Sequence, residues 1–273
     1  MNHEREVINL NSKLFYDTHI NFSLRSLLEH EISPGIKCKF DLILENLNIN
    51  QRYRKGLDVG CSGNSFLYFL KNVRNKSFLD ISAIPLRQYI SKSKNLIDNK
   101  TYTRSVHPMC GDICHLPYAN ESFDIITILD TLEHIKNDEK AVLEISRVLN
   151  QKGVCIITVP HRRDFYTIQD QLIGHYRRYE IEQILKMFDE NHLRCLRYFN
   201  VYGKLMKFVF FQTLNPRKTE ETIINLRLKY RNNLLFKLFW KIVVKLISKL
   251  MKIDAKYHKL EKGMNLCFIF EKV

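Results

Sequence analysis

The sequence lacks the long apolar stretches that export signals and membrane-spanning helices need. Its first six residues, Met1 to Glu6, are polar or charged, which argues against a secretory signal. Four lysines interrupt the most apolar helical segment, residues 234–250, whereas a spanning helix needs about 20 consecutive apolar residues. These absences predict a protein that is neither exported nor inserted across a membrane.

Disulfide cross-links are not indicated either. The seven cysteines are odd in number and lie scattered through apolar segments. A chain of 273 residues buries enough core to fold without such links. The cysteine pattern therefore fits a reducing compartment, and we predict a cytoplasmic location.

Acidic residues are scarce in one late segment. Residues 204–262 carry fifteen Lys or Arg against four acids, which accounts for +11 of the net charge of +14. The rest of the chain is nearly neutral. This local excess predicts a separate attachment function and not a general nucleic-acid coat.

Between residues 55 and 202, short apolar runs of the β type alternate with helical patterns. This alternation predicts βαβ units and therefore a doubly wound, Rossmann-like α/β fold with a mostly parallel sheet. Strands are predicted at residues 56–60, 76–80, 107–110, 123–130, 153–160, 193–202 and 265–272. Helices are predicted at residues 66–70, 141–149 and 181–188, the last two because apolar residues recur three and four apart.

Four parts are predicted along the chain. Residues 1–54 form a helical lead-in or lid, with helices at residues 22–30 and 39–47 and a turn at Ser33-Pro34-Gly35. Residues 55–203 form the core, residues 204–262 a basic amphipathic helical insertion, and residues 263–273 the last core strand.

The first predicted strand ends in a turn of small residues, Asp-Val-Gly-Cys-Ser-Gly-Asn at 58–64. Small residues let the backbone approach a ligand, and doubly wound folds bind nucleotides at the carboxyl ends of their strands. Asp80 ends the second strand 20 residues after Gly60, a position from which a carboxylate can accept both ribose hydroxyls. Asp112 follows the third strand, within reach of an adenine amino group, and Asp130 ends the fourth.

A nicotinamide-dependent oxidoreductase is the nearest alternative for such a turn. That class uses Gly-x-Gly-x-x-Gly, in which the third glycine allows close helix packing. Residues 60–65 read Gly-Cys-Ser-Gly-Asn-Ser and do not fit this pattern.

Taken together, the turn and the three acids resemble the class I S-adenosylmethionine-dependent methyltransferases, above all the small-molecule branch with Leu-Asp-Val-Gly-Cys-Gly-Thr-Gly. The resemblance covers residues 55–200, and residues 265–272 resemble that family's antiparallel last strand. It implies a cofactor site with the amino-acid half near Asp58 and Gly60, the ribose on Asp80, the adenine framed by Asp112 and Ile113, and the methionine moiety or acceptor near Asp130. The remaining predicted cofactor residues are Cys61, Gly63 and Ile81. Ser62 and Asn64 replace two family glycines, and Asn64 is expected to tolerate a positive φ at the last position.

Methyl transfer from a sulfonium is an in-line displacement that needs alignment of donor and acceptor and, for a hydroxyl acceptor, removal of a proton. Histidine is the natural base near neutral pH. His134, His161 and His175 each follow a predicted strand. The Gly-His-Tyr-Arg-Arg-Tyr stretch at 174–179 resembles a family segment near the acceptor, so we predict His175 as the first candidate for the base and His134 as the second.

A metal ion is not predicted. The potential ligands His107, Cys110, Asp112, Cys114 and His115 are close in sequence, but Cys110 and Asp112 fall on a strand and at its cofactor-facing end. No second ligand pair completes a tetrahedral set.

Residues 234–250 are predicted to form an amphipathic helix. Lysines recur every fourth residue at 237, 241, 245 and 249, with apolar side chains on the other faces. This pattern favours a helix lying in the headgroup plane of an anionic membrane, with an apolar segment at 204–211 as a second contact. A lid over the acceptor pocket and an RNA-binding arm are the alternatives.

These patterns combine into one functional hypothesis. We predict a peripheral S-adenosylmethionine-dependent methyltransferase at the inner membrane face, acting on a lipid-linked, isoprenoid or glycan-like hydroxyl. The alternatives are an RNA or soluble-metabolite methyltransferase and a non-catalytic S-adenosylmethionine-binding protein.

Overall fold

The computed structural model describes residues 13–19, 22, 25–48, 50–91, 102–205 and 216–273. Its centre is a seven-stranded sheet in the order β3-β2-β1-β4-β5-β7-β6. The strands are β1 (Tyr53–Val59), β2 (Val73–Asp80), β3 (Ser105–Cys110), β4 (Phe123–Leu129), β5 (Leu149–Pro160), β6 (Leu193–Asn200) and β7 (Asn265–Lys272). All seven predicted strands are confirmed, with ends shifted by a few residues.

The sheet is parallel from β3 to β5 and antiparallel at β7. Parallel pairing joins β3 to β2, β2 to β1, β1 to β4 and β4 to β5. The last strand in the chain, β7, inserts between β5 and β6 and runs antiparallel to both. The predicted Rossmann-like class with an antiparallel last strand is therefore confirmed.

Helices cover both faces of the sheet. They are α1 (Glu29–Ile32), α2 (Pro34–Asn46), α3 (Phe66–Phe69), α4 (Ala83–Ser91), α5 (Asp138–Val148), α6 (Ile168–Leu172), α7 (Ile181–Asp189), α8 (Pro216–Asn232) and α9 (Leu234–Tyr257). One core cluster joins the sheet to α5 and α7, and a second joins it to α2, α3 and α4. Burial on both faces explains the nearly continuous apolar runs of the central strands.

The N-terminal prediction is wrong in two places. Residues 25–28 are not helical, because the side chain of Gln88 on α4 accepts from the Leu27 N–H at 3.0 Å and donates to the Arg25 carbonyl at 3.2 Å. The predicted break between two helices falls on Ser33 alone, because Pro34 and Gly35 already belong to α2: the Ser33 hydroxyl accepts from the Ile36 N–H and caps α2, with Pro34 in the first helical position. Serine at an N-cap followed by proline is a strong helix start.

The late helices α8 and α9 lie between β6 and β7 in the chain. The predicted amphipathic helix is confirmed and extends to Tyr257. It packs on α2 through Met251 and Ala255 against Cys38 and Leu42. Of the apolar segment predicted at 204–211, only residues 204 and 205 lie within the described residues.

Candidate active site

A cavity of about 730 Å³ opens at the carboxyl ends of β1 to β4. Its volume lies in the range of small-molecule sites. Seven of the predicted site residues line it, namely Gly60, Asp80, Ile81, Asp112, Ile113, Asp130 and His134. The other four predicted site residues, Asp58, Cys61, Gly63 and His175, are not among the lining residues.

The turn after β1 brings backbone to the cavity wall. Gly60 has a φ of +67°, and a Cβ there would collide with the Thr131 side chain, so only glycine fits. The second positive φ, +45°, falls on Ser62. The expectation that Asn64 would carry the positive φ is therefore wrong. The Ser62 hydroxyl oxygen is buried and makes no hydrogen bond within the protein, which leaves it for a ligand in the cavity.

Asp80 faces the cavity from the end of β2. Its two carboxylate oxygens accept from the backbone N–H groups of Ser62 at 2.7 Å and Ser82 at 2.9 Å. An ionised carboxylate offers about four lone-pair sites, so two remain for ligand hydroxyls. Burial raises the pKa of this carboxyl, with the two N–H groups opposing the shift. The arrangement fits the predicted ribose contact.

Asp112 lines the cavity and also caps a short 3-10 turn, Ile113–His115. One of its oxygens accepts from the Cys114 N–H at 2.9 Å. The side chain of Ile113 is buried beside it. The two residues thus form a polar and an apolar edge at the end of β3, as an adenine ring requires.

Asp130 is held in a buried network after β4. Its carboxylate pairs with Lys39 of α2 and accepts from Thr158 Oγ1 at 2.7 Å and Asn265 Nδ2 at 3.0 Å. Burial alone would raise the pKa of Asp130, but Lys39 and these donors lower it to about 2. The sequence pattern did not indicate this pairing, because Lys39 lies 91 residues away.

Asp58, Cys61 and Gly63 support the turn from behind. The Asp58 carboxylate accepts from the hydroxyls of Ser65 and Thr127, and burial raises its pKa to about 6. Cys61 is buried in the core. A Cβ at Gly63 would collide with the Arg25 carbonyl, so this glycine lets residues 25–28 pass directly over the turn.

Three further wall residues come from the N-terminal part, namely Tyr16, Phe22 and Arg25. The Arg25 guanidinium lies over the Phe22 ring at 4.9 Å, and the Tyr16 and Phe22 rings meet edge to face at 5.1 Å. We call the described residues of this part, 13–19, 22 and 25–32, the lid. Its side chains could not be assigned to the site from sequence, because no residue spacing links them to the strand ends.

His134 lies in the wall, and His175 lies behind it. Their ring centroids are 4.5 Å apart, and the His134 ring also contacts Tyr16 and Phe22 of the lid. Burial, with His175 adding, lowers the pKa of His134 to about 3, so its imidazole is neutral at pH 7. The third candidate, His161, is buried away from the cavity and contacts the Tyr179 carbonyl at 2.8 Å.

Glu133 joins the two histidines, a contact that sequence reasoning missed. Its carboxylate is buried, and Oε1 lies 3.8 Å from His175 Nε2. The two arginines of the 174–179 stretch have structural partners nearby, since Arg177 pairs with Asp138 and Arg178 with Asp170.

Comparison with known proteins supports the same class. The model of a family described as "Methyltransferase domain" matches residues 57–157. An uncharacterized protein of Methanocaldococcus jannaschii is 24% identical over 81% of this chain and 86% of its own length. A demethylmenaquinone methyltransferase of Mycobacterium is 33% identical over 26% of this chain and 32% of its own length.

A solved structure gives a similar result for the fold. Phosphoethanolamine N-methyltransferase 2 of Haemonchus contortus, in complex with S-adenosyl-L-methionine, aligns with a TM-score of 0.61 at 17% identity, over 96% of this chain and 59% of its own.

Residues 57–157 match a methyltransferase domain, and the fold and the strand-end residues resemble those of the class I S-adenosylmethionine-dependent methyltransferases. The chain is an S-adenosylmethionine-dependent methyltransferase, and its cofactor is S-adenosylmethionine. The cavity fits this cofactor in three respects: the glycine-bearing turn, the unpartnered Ser62 hydroxyl and the two remaining acceptor sites of Asp80.

Proposed function

We propose that this methyltransferase works at an anionic membrane surface and methylates a hydroxyl on a lipid-linked, isoprenoid or glycan-like acceptor. The observation that carries this proposal is the outer face of α9. No helix within the described parts of the chain is long and apolar enough to cross a bilayer. Attachment would therefore be peripheral.

The outer face of α9 is a continuous apolar surface. Leu235, Ile242, Leu246 and Leu250 are 59–79% exposed, far more than large apolar side chains on a monomer usually are. The full set of exposed apolar residues is Leu234, Leu235, Leu238, Phe239, Ile242, Leu246, Ile247, Leu250, Ile253 and Tyr257. Their spacing puts most of them on one broad arc of the helix, and we call this arc the α9 ridge.

Lysines run beside the α9 ridge. Lys241, Lys245 and Lys249 are exposed and recur every fourth residue, which places them along one edge of the arc. A broad apolar face with cations at its edge is typical of helices that lie in the interface of an anionic membrane. Trp240 is not part of this face: it turns inward and donates from Nε1 to the Ile32 carbonyl at 3.0 Å.

The inner face of α9 connects this surface to the lid. Lys241, at the edge of the α9 ridge, also pairs with Glu31 of α1 at 3.0 Å, and Lys252 and Lys256 pair with Glu45 of α2. These pairs join α9 to the lid at Glu31 and to α2 at Glu45.

His134 is suited to orient an acceptor hydroxyl. Its Nδ1 lies 3.2 Å from the Gly174 carbonyl, which can only accept, so Nδ1 carries the proton and Nε2 is left as an acceptor. S-adenosylmethionine supplies the methyl group when bound. The residues of this chain hold the two reactants in line, which is the main requirement of the displacement.

Vesicle co-sedimentation tests the membrane proposal. We expect the purified protein to bind phosphatidylserine-containing vesicles, and to bind them less as salt is raised, while pure phosphatidylcholine vesicles bind it weakly. Replacing Lys237, Lys241, Lys245 and Lys249 with Gln should cost several kcal/mol of affinity, at about 1 kcal/mol per lysine.

A matched control changes four exposed lysines elsewhere, namely Lys55, Lys71, Lys152 and Lys186, and should leave binding nearly unchanged. A second variant, with Leu238, Ile242 and Leu246 each replaced by Gln, should bind poorly to both vesicles. Absence of binding by the folded wild type, or equal losses in the two lysine variants, would contradict the proposal and leave α9 as a packed support of the lid.

A further inference from the structure

Three potential metal ligands meet behind the cavity wall. Glu133, His134 and His175 each offer one ligand atom, and these atoms all lie within 4.8 Å of one another. Glu133 and His134 belong to the short turn after β4, whereas His175 comes from the segment before α7. A backbone hydrogen bond of 2.8 Å from the Tyr176 N–H to the Glu133 carbonyl holds the two segments together.

The proton positions leave a lone pair on each imidazole. His134 Nδ1 donates to the Gly174 carbonyl, and His175 Nδ1 lies 2.9 Å from the Asp170 carboxylate. Both partners only accept, so Nδ1 carries the proton in each ring and Nε2 is free to donate an electron pair. A second ring nitrogen fixed by a carbonyl or carboxylate is the usual setting of a metal-binding histidine.

Glu133 supplies the independent observation. Its side chain is 1% exposed, and its Oε2 has no hydrogen-bond partner in the protein. A buried carboxylate oxygen without a partner is costly unless the group is protonated or a cation compensates it. His175 does not compensate it, because the shortest approach between the two side chains is 3.8 Å, from the other oxygen.

We propose that Glu133, His134 and His175 bind one divalent transition-metal ion, with Zn²⁺ as the ion that best fits the donor set. Two imidazole nitrogens and one carboxylate oxygen are a known zinc ligand set, and they leave one position of a tetrahedron open. Ligand bonds of about 2.1 Å put the ligand atoms of such a tetrahedron about 3.4 Å apart. The cluster therefore needs to contract only modestly around the ion.

The surroundings support the ligands. Asp170, which fixes His175, is held by Arg178 at 2.9 Å and accepts from the Thr167 N–H at 2.8 Å. The ion would join the turn after β4 to the segment at 174–176 and so fix the His134 side of the cavity. A bound ion would take the His134 Nε2 lone pair, so metal binding and direct orientation of an acceptor hydroxyl by His134 are alternatives. Metal binding itself needs neither a membrane nor a particular acceptor, so its test is separate from that of membrane attachment.

Metal titration of the full chain, freed of metal with a chelator, tests the site. We expect calorimetry to show one Zn²⁺ bound per chain. The absorption spectrum of bound Co²⁺ should be typical of nitrogen and oxygen ligands and should lack a thiolate charge-transfer band. His175→Ala and Glu133→Gln should each weaken Zn²⁺ binding by about a hundredfold or more, and Asp170→Asn by about 10- to 100-fold.

Two control variants separate this site from other ligands. Cys110→Ser and His115→Ala change exposed side chains outside the cluster and should leave Zn²⁺ affinity unchanged. Glu133→Gln keeps the size of the side chain, so it remains informative if His175→Ala does not fold. No stoichiometric binding, a thiolate band with Co²⁺, or equal affinity in Glu133→Gln and the wild type would overturn the proposal.

Discussion

Single residues at the cavity combine a binding role with a structural one. Asp80 closes the turns at Ser62 and Ser82 while it faces the cavity, and Asp112 caps a 3-10 turn at the next strand end. A carboxylate that is already held by backbone N–H groups loses little freedom when a ligand binds. This prior ordering is a physical reason for acids at these strand ends.

Asp80→Asn should weaken S-adenosylmethionine binding by about 10- to 100-fold. A hydrogen bond to a charged group contributes about 1.5–3 kcal/mol, and the amide removes both the charge and one acceptor. Titration calorimetry measures the change. Asp164→Asn, at a side chain 88% exposed in an ion pair with Arg162, serves as the control and should bind like the wild type. Equal affinities for all three proteins would contradict the ribose assignment.

Lys76 should make stability depend on pH. Its side chain is buried, Nζ donates to the Tyr68 carbonyl at 3.0 Å, and burial lowers its pKa from 10.5 to about 7. Between these two values the unfolded chain binds one more proton than the folded one, so this group makes the free energy of unfolding rise with pH by about 1.4 kcal/mol per unit. Below pH 7 the contribution levels off.

Urea denaturation of the wild type and Lys76→Met at pH 7, 8 and 9 isolates this contribution. We expect the wild type to gain stability relative to the variant over this range. Lys55→Met, at an exposed position of β1, should follow the wild type in parallel. If the free energy of unfolding of Lys76→Met also followed the wild type in parallel over this pH range, the Lys76 ammonium group would be solvated in the folded state.

At the scale of elements, the late helices brace the lid. The Arg227 side chain of α8 donates to Glu29 of α1 at 2.8 Å, and both side chains are less than a tenth exposed. Trp240 of α9 bonds to the last residue of α1. The lid therefore depends on helices that lie about 200 residues later in the chain.

Arg227→Met should destabilise the protein by about 3–5 kcal/mol, because it leaves the buried Glu29 charge without a partner. The double variant with Glu29→Gln should recover part of this loss. Lys186→Met breaks an exposed pair with Glu190 and should cost no more than about 1 kcal/mol. Urea denaturation gives the free energy of unfolding of the two single variants and of the double variant. A small effect of Arg227→Met, similar to that of Lys186→Met, would contradict the bracing role.

The sequence pattern predicted those strands and strand-end acids that depend on neighbouring residues in the chain. The buried parallel strands are apolar runs, so their ends and the acids beside them were visible in the sequence. The path of residues 25–28 was not visible, because it depends on Gln88 of α4. The cluster of Glu133 and His175 was equally hidden, since the fold brings together positions more than 40 residues apart.

At the scale of the whole molecule, the N-terminal lid lies at the cavity and is supported by the late helices α8 and α9. The strand order reverses between β1 and β4, and ligands of doubly wound sheets bind at such a reversal. The lid crosses this point from the N-terminal side, and α8 and α9 return from the far edge of the sheet to support it. Cofactor binding is therefore expected to stabilise the lid together with the sheet.

Saturation with S-adenosylmethionine should raise the melting temperature of the whole molecule. At a concentration 100 times Kd, binding adds about 2.7 kcal/mol, which corresponds to a rise of about 5–10 °C for a protein of this size. Amide hydrogen exchange should slow in the lid, because Tyr16, Phe22 and Arg25 line the cavity. Gly63→Ala should reduce both effects, since its Cβ would push against the Arg25 carbonyl. A comparable rise with a nicotinamide dinucleotide, or slower exchange in the sheet without any change in the lid, would contradict this account of how the cavity closes.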